Sequence, residues 1–328
     1  MIRRDFIKLL GGTAAGWPFA AHAQQATRMR RIGVLLNYYE GDPQTTNATS
    51  AFERGLQERG WKLGDNLQIV YRWAPDDIIV RRFAHELVSL APDVILAVGG
   101  SSASALQGVT RVIPIVFMKM SDPVNRRLIA NMEQPGGNFT GLIEFESSIG
   151  EKWLELLKQV APGVRRVAVI QDPSRVAWRS LLSAIQKAAP SFNVEVSPVD
   201  VRDGLKMERN IDTFASNPNG GLIVTPSTYS VIIRDRIIAL ATRHKLPAIY
   251  FTQIFVSDGG LILYAPDPID PYRRAAGYVD RILKGEKPAD MPVQAPTKFR
   301  LVVNLRAAQA IGLTVPAGVL TVADHVIK

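Results

Sequence analysis

Three turns in this sequence carry the polar groups best suited to holding a ligand. Each follows a short apolar run. Gly99-Gly100-Ser101-Ser102 follows Val94–Val98, Asp172-Pro173-Ser174 follows Arg166–Ile170, and Pro226-Ser227-Thr228 follows Gly221–Thr225. A strand that stops at such a turn and opens into a helix leaves backbone N–H groups facing outward, a favourable seat for carboxylates, phosphates and other acceptors. Ser101 and Ser102 add hydroxyl donors, with plain helix capping as the competing role. Lys119, at the end of another apolar run, can pair with a ligand anion or reach solvent. Asp122 can receive an ammonium, although Asp122-Pro123 reads more readily as a helix cap and first-turn proline. Tyr38 or Tyr39 can stack on a ring, Phe145 can wall a side chain, and Tyr250 and Phe251 read as buried core.

Enzymatic chemistry finds little support in the same residues. No G-x-G-x-x-G or G-x-x-x-x-G-K-[ST] pattern accompanies the glycine turn, and there is no G-x-S-x-G elbow. The chain has no cysteine, which removes disulfides, thiolate metal sites and thiol catalysis together. Of the four histidines, His22 lies in the N-terminal segment, while His85, His244 and His325 fall on predicted helices or a helix end, apart in sequence. Neither a zinc set nor a catalytic triad is expected, and no cofactor. An exported α/β enzyme using Asp122 or Asp172 as base remains an alternative.

The elements that position these groups alternate at short spacing. Ile32–Leu36 reads as a first buried strand, followed by a helix with Ala48, Ala51, Phe52 and Leu56 on one side. Leu67–Tyr71 is a strand, Ile79–Leu90 a helix, Val94–Val98 a strand and Ile113–Met118 another; a helix is expected from Asp122 to Met132. This order indicates a parallel, helix-covered sheet. After the turn-rich Gln134–Gly141 and a short strand to Phe145 the pattern restarts, with strands expected at Arg166–Ile170, Asn193–Val199, Gly221–Thr225 and Ala248–Thr252. Helices are expected from Met207 to Ala215 and from Val231 to His244. One architecture is used twice.

At 328 residues, with 47% hydrophobic and 21% charged, the chain is long enough for two folded domains. Its net charge of +9 comes partly from Arg3, Arg4 and Lys8, and otherwise from scattered pairs such as Arg126-Arg127. No basic run with interleaved aromatics is present, so no nucleic-acid partner is expected. Arg3-Arg4-Asp5-Phe6-Ile7-Lys8, the modest apolar stretch after it and Ala21-His22-Ala23 resemble a twin-arginine export signal cleaved after Ala23. The expected destination is the periplasm, with no membrane insertion of the mature chain.

Several ordered blocks then resemble one family. They are Gly64–Ala74, Pro92-Asp93-Val94-Ile95, Ile113–Val116 with Ser121–Val124, Pro135–Gly141, Ile282–Pro292, Gly312–Pro316 and Ala323-Asp324. Together they resemble the ABC-transporter substrate-binding proteins of the tryptophan/tyrosine-binding-like group. The resemblance implies a type I periplasmic-binding-protein fold, α/β, with two Rossmann-like lobes and three crossover strands near Gly141–Phe145, Gly260–Tyr264 and Met291–Phe299. It places residues 28–144 and 265–292 in the N-terminal lobe, and 145–264 and 293–328 in the C-terminal lobe. The lobes would close on a small solute, an amino acid with aromatic ones included or a related carboxylate, and pass it to the transmembrane subunits of an ABC permease. A periplasmic sensor that presents its closed form to a receptor is the alternative. For an amino acid, Asp172 or Glu40 would suit the ammonium, and Ser101, Ser102, Ser227 and Thr228 the carboxylate, with Ser174 beside Asp172. Relatives usually carry small residues where Lys119-Met120 stands.

Overall fold

The computed structural model describes residues 29–174 and 176–328. The export signal expected in Met1–Ala23 lies outside the described residues. Contacts divide the chain into two units, one ending at Leu142 and taking back Ile269–Gln294, the other made of Ile143–Pro268 and Ala295–Lys328. The chain therefore passes between units after Leu142, Pro268 and Gln294; the return to the first unit falls at residue 269 rather than the expected 265.

In the first unit, apolar runs form β1 (Arg30–Leu36), β2 (Leu67–Trp73), β3 (Val94–Val98), β4 (Ile115–Met120) and β5 (Phe139–Ile143), ordered β2-β1-β3-β4-β5. β1 pairs in parallel with β2 and β3, and β3 with β4. Every residue of β3 is buried, as befits a strand covered on both faces. The connecting helices are α1 (Pro43–Gln57), α2 (Asp77–Ser89) and α3 (Gly100–Val109). Asp76 starts α2 by accepting from the backbone N–H groups of Ile78 and Ile79, both at 2.9 Å. One core cluster joins Ile32, Val34, Phe52, Leu96, Val98, Val116 and Met118.

Two expectations fail here. β4 starts and ends two residues later than predicted, which carries Lys119 into the strand. Asp122–Met132 forms turns, not a helix. Asp122 and Arg127 have φ of 60° and 56°, left-handed values that a right-handed helix excludes. Backbone bonds of mixed spacing, Arg127 N to Val124 O and Leu128 N to Pro123 O, replace a regular ladder and bury Leu128 and Ile129 side by side.

The second unit orders its strands β12-β11-β10-β9-β8-β6-β7. They are β6 (Arg166–Gln171), β7 (Glu195–Asp200), β8 (Gly220–Val224), β9 (Ala248–Tyr250), β10 (Ile262–Pro266), β11 (Phe299–Asn304) and β12 (His325–Ile327). The helices up to β10 are α4 (Ile149–Val160), α5 (Val176–Ala188), α6 (Gly204–Ala215), α7 (Thr228–Ile232), α8 (Arg234–Arg243) and α9 (Gln253–Ser257). Val167 and Val169 pack into one core cluster while Ala168 and Ile170 pack into another, so the period-two pleat of β6 serves both faces of the sheet.

Here too the outcome differs from expectation in places. The single helix expected over Val231–His244 is two, joined at Ile233 with φ −103° and ψ 22°. β10 and β11 pair antiparallel, so the sheet is not purely parallel. His325 lies on β12, not at a helix end.

Between β10 and β11 the chain returns to the first unit as α10 (Asp270–Leu283), and α11 (Leu305–Ala310) and α12 (Ala317–Val322) follow β11. α10 buries Tyr272, Ala275, Ala276 and Val279 in the first unit's core cluster. The indole N–H of Trp61 donates to Asp280 Oδ1 at 2.8 Å and ties α10 to the loop after α1.

Candidate functional site

The C-terminal ends of the parallel strands are where backbone donors and polar side chains gather in an α/β sheet. In the first unit, β3 ends at Gly99, whose φ of 97° suits a glycine and which is the N-cap of α3. The expected serine cap is therefore corrected. The helix begins at Gly100, so Ser101 and Ser102 lie inside its first turn, and no side chain caps it. Gly99 N donates to Met118 O at 2.9 Å, which brings this turn beside the end of β4.

Lys119, near the end of β4, is left-handed at φ 52°. Its ammonium lies 5.2 Å from the Tyr38 ring centroid and 5.6 Å from that of Tyr272. The structure thus brings Tyr38, Lys119 and the Ser101-Ser102 turn to one end of the sheet. Tyr39 is 72% exposed and Glu40 is exposed in the loop beyond. Asp122 is not a helix cap; its carboxylate accepts from Asn125 Nδ2 at 2.7 and 2.9 Å.

In the second unit, Asp172 is buried directly after β6. Its Oδ1 accepts from Ser174 N at 3.0 Å and Ser174 Oγ at 2.6 Å, and Arg202 Nε lies 4.0 Å away. Arg202 also forks onto Asp200, which holds the Asp200 carboxyl below the usual carboxylate range. Ser227 caps α7 by accepting from Tyr229 N at 3.2 Å, and Thr228 is the exposed first residue of that helix. Phe145 packs edge-on against Trp153, with centroids 6.2 Å apart, inside the core. Tyr250 stacks on Phe255, and burial pushes its phenol pKa up.

Four polar atoms at strand ends stand out, three of them on residues not singled out from sequence. Ser102 Oγ and Ser121 Oγ in the first unit, and Gln171 Oε1 and Gln253 Oε1 in the second, are buried with no hydrogen-bond partner among the described residues. They follow or close β3, β4, β6 and β9 respectively. A buried orphan polar group costs about 1–3 kcal/mol, so four of them at equivalent ends of two sheets call for a functional reason. Ser121, Gln171 and Gln253 escaped sequence reasoning because nothing in a lone serine or glutamine announces burial. Adjacency to strand ends was the usable signal. No group of three or more histidine or acidic side chains able to hold a metal occurs among the described residues.

Two sheets of this order, threaded by a chain that crosses three times, with polar turns at the strand ends, define a type I periplasmic-binding-protein fold built to hold a solute. Sugar-binding proteins and LacI-type regulators share that fold, with TM-scores from 0.64 down to 0.58. The chain belongs to the ABC transporter substrate binding protein family, whose model matches residues 35–327. It is 27% identical over 275 residues to a tyrosine-binding protein of Clostridioides difficile, covering 83% of this chain and 78% of that one. Among solved structures, a ligand-free, open substrate binding protein with adhesive properties from Clostridium difficile matches with TM-score 0.79 and 25% identity, over 92% of this chain and 100% of that chain. An ABC domain in complex with L-Trp from Streptococcus pneumonia matches with TM-score 0.78 and 23% identity, over 91% of this chain and 100% of that chain. The family binds substrate for a transporter and is not enzymatic. No helix among the described residues is long and apolar enough to cross a membrane.

Proposed function

We propose that this protein is the periplasmic solute receptor of an ABC importer. It is exported by the twin-arginine segment Arg3-Arg4-Asp5-Phe6-Ile7-Lys8 and takes up an amino acid, aromatic ones included, or a related carboxylate. In this reading the strand-end turns hold the ligand's polar groups, and the loaded form is handed to the transmembrane subunits. The observation that carries it is the set of buried orphan polar atoms at Ser102, Ser121, Gln171 and Gln253. A fold tolerates such groups when a ligand completes their hydrogen bonds, because differential contact with the ligand then shifts the conformational population. The tyrosine-binding relative supports the ligand class.

The test is thermal-shift screening of the purified protein against amino acids and related carboxylates, repeated with Ser102→Ala and Gln253→Leu. Removing an orphan polar atom should leave the free protein at least as stable while erasing the ligand-induced rise in Tm. Variants that destabilise the free protein and bind as before would contradict the reading. Export is checked separately by Arg3→Lys/Arg4→Lys, which should leave the protein in the cytoplasm.

A further inference from the structure

We propose that the first unit selects a solute of net negative charge, an organic acid anion in preference to a zwitterion, through the cations of Lys119 and Arg126. This rests on the solute-binding reading above and adds the class of substrate. Arg126 is exposed in the turns after β4, and its guanidinium leans over the first turn of α3. A Cβ placed on Gly100 would meet its Cζ and Nη2 at 3.7 Å and its Nη1 at 3.8 Å. The N-terminal turn of a helix carries the positive end of the helix dipole, where a cation is opposed and an anion favoured. α3 has no acidic residue in its first turn to offset the guanidinium. An anion between the two would turn an unfavourable contact into a favourable one.

Lys119 supplies the second cation. Its ammonium faces the rings of Tyr38 and Tyr272 and lies 3.5 Å from the Tyr38 hydroxyl. Two aromatic faces hold a cation in place at a position where a strand-end lysine would otherwise sweep through solvent. The left-handed φ of Lys119 is disfavoured for a side chain of this type, and strain of this kind clusters where a ligand is held.

The hydroxyls of Ser102 and Ser121 point to an acceptor independently of charge. Ser102 is 0% exposed and sits in the first turn of α3, where Cβ bonds tilt toward the helix N-terminus; Ser121 directly follows β4. Both Oγ atoms are buried without a partner among the described residues, and a hydroxyl in that position can donate to a carboxylate oxygen. A zwitterion also needs an acid for its ammonium, and two of the three acids suited to that are engaged elsewhere, while Glu40 lies exposed in the loop after β1. Asp122 holds Asn125, and Asp172 holds Ser174 with Arg202 close by.

The test pairs solutes that differ only by the ammonium group, 3-phenylpropionate with L-phenylalanine and 4-methylpentanoate with L-leucine, by titration calorimetry. The acid lacking the ammonium should bind more tightly in at least one pair. Lys119→Met and Arg126→Gln should each weaken that acid by about tenfold or more. Lys119→Arg, which keeps the charge, should restore most of the affinity, and this separates lost charge from a disturbed strand end. Tighter binding of both zwitterions, unaffected by either charge-removing variant, overturns the proposal and leaves the solute-binding reading standing. Tight binding of an uncharged sugar does the same. Failure of every solute class to bind overturns both.

Discussion

Gly141 shows how one missing side chain keeps the first sheet together. A Cβ there would lie 2.0 Å from the Phe117 carbonyl oxygen and 2.7 Å from Phe117 N, so β5 approaches β4 as closely as backbone allows. Neither atom belongs to a side chain that could swing aside. Gly141→Ala should therefore cost about 1–3 kcal/mol of unfolding free energy, measured by urea denaturation, and more if the strand edge cannot shift. At the same scale the serine and aspartate turns show where residue type misleads. Ser101, Ser102 and Asp122 read as caps because short polar side chains usually cap. Gly99 holds the N-cap of α3 instead, and a left-handed φ takes Asp122 out of any helix. Backbone conformation at a single residue depends on what its neighbours must bury, and sequence proximity does not report that.

Among the elements, α10 carries the largest consequence. It leaves the second unit after β10 and buries Tyr272, Ala275, Ala276 and Val279 against the first. Its contact with α1 is close because Gly55 faces it: a Cβ at Gly55 would meet the Ala276 Cβ at 2.8 Å. The Trp61–Asp280 hydrogen bond ties α10 to the loop that follows α1, and Lys284 Nζ binds Asp280 Oδ2 at 3.0 Å one turn further on. Trp61→Phe keeps the aromatic bulk and removes the donor to a largely buried carboxylate. A loss of about 1–2 kcal/mol is expected, read from the shift of the denaturation midpoint at unchanged slope. The apolar residues between Ile269 and Leu283 have the spacing of an amphipathic helix. Its carriage back to the first unit was expected only through the family resemblance, because periodicity says which face of a helix is apolar and not which sheet will cover it.

For the molecule as a whole, surface charge sets the acid limit of stability. Side-chain hydrogen bonds hold four carboxyls below their ordinary pKa: Glu86 beside Arg72, Asp200 beside Arg202, Asp212 beside His244 and Arg243, and Glu286 beside Arg281. A carboxyl whose pKa is lower in the folded than in the unfolded chain binds fewer protons when folded. Its contribution is therefore present above the unfolded value, 3.8 for aspartate and 4.5 for glutamate, and is lost as pH falls through the folded value. The Tm should hold between about pH 7 and pH 5 and decline below about pH 4. These groups are half-exposed at the surface, so added salt should shrink the decline; calorimetric scans across pH at two ionic strengths check both parts.

The sequence by itself determined the class of architecture. Short apolar runs alternating with amphipathic helices, twice over, specify two helix-covered sheets, because burial periodicity is local and survives without knowledge of the fold. It also marked Gly99–Ser102, Lys119, Asp172 and Ser227 as strand-end groups. Only the tertiary structure decided that β11 runs antiparallel to β10, that Asp122–Met132 is a set of turns, and that α7 and α8 are separate helices. It alone placed the Arg126 guanidinium over Gly100 and left the hydroxyls of Ser102 and Ser121 buried without partners. The meeting of Arg126 with the first turn of α3 joins residues about twenty-five apart through the parallel pairing of β3 and β4. Such a contact is set by sheet register and loop path, neither of which is written in residue types.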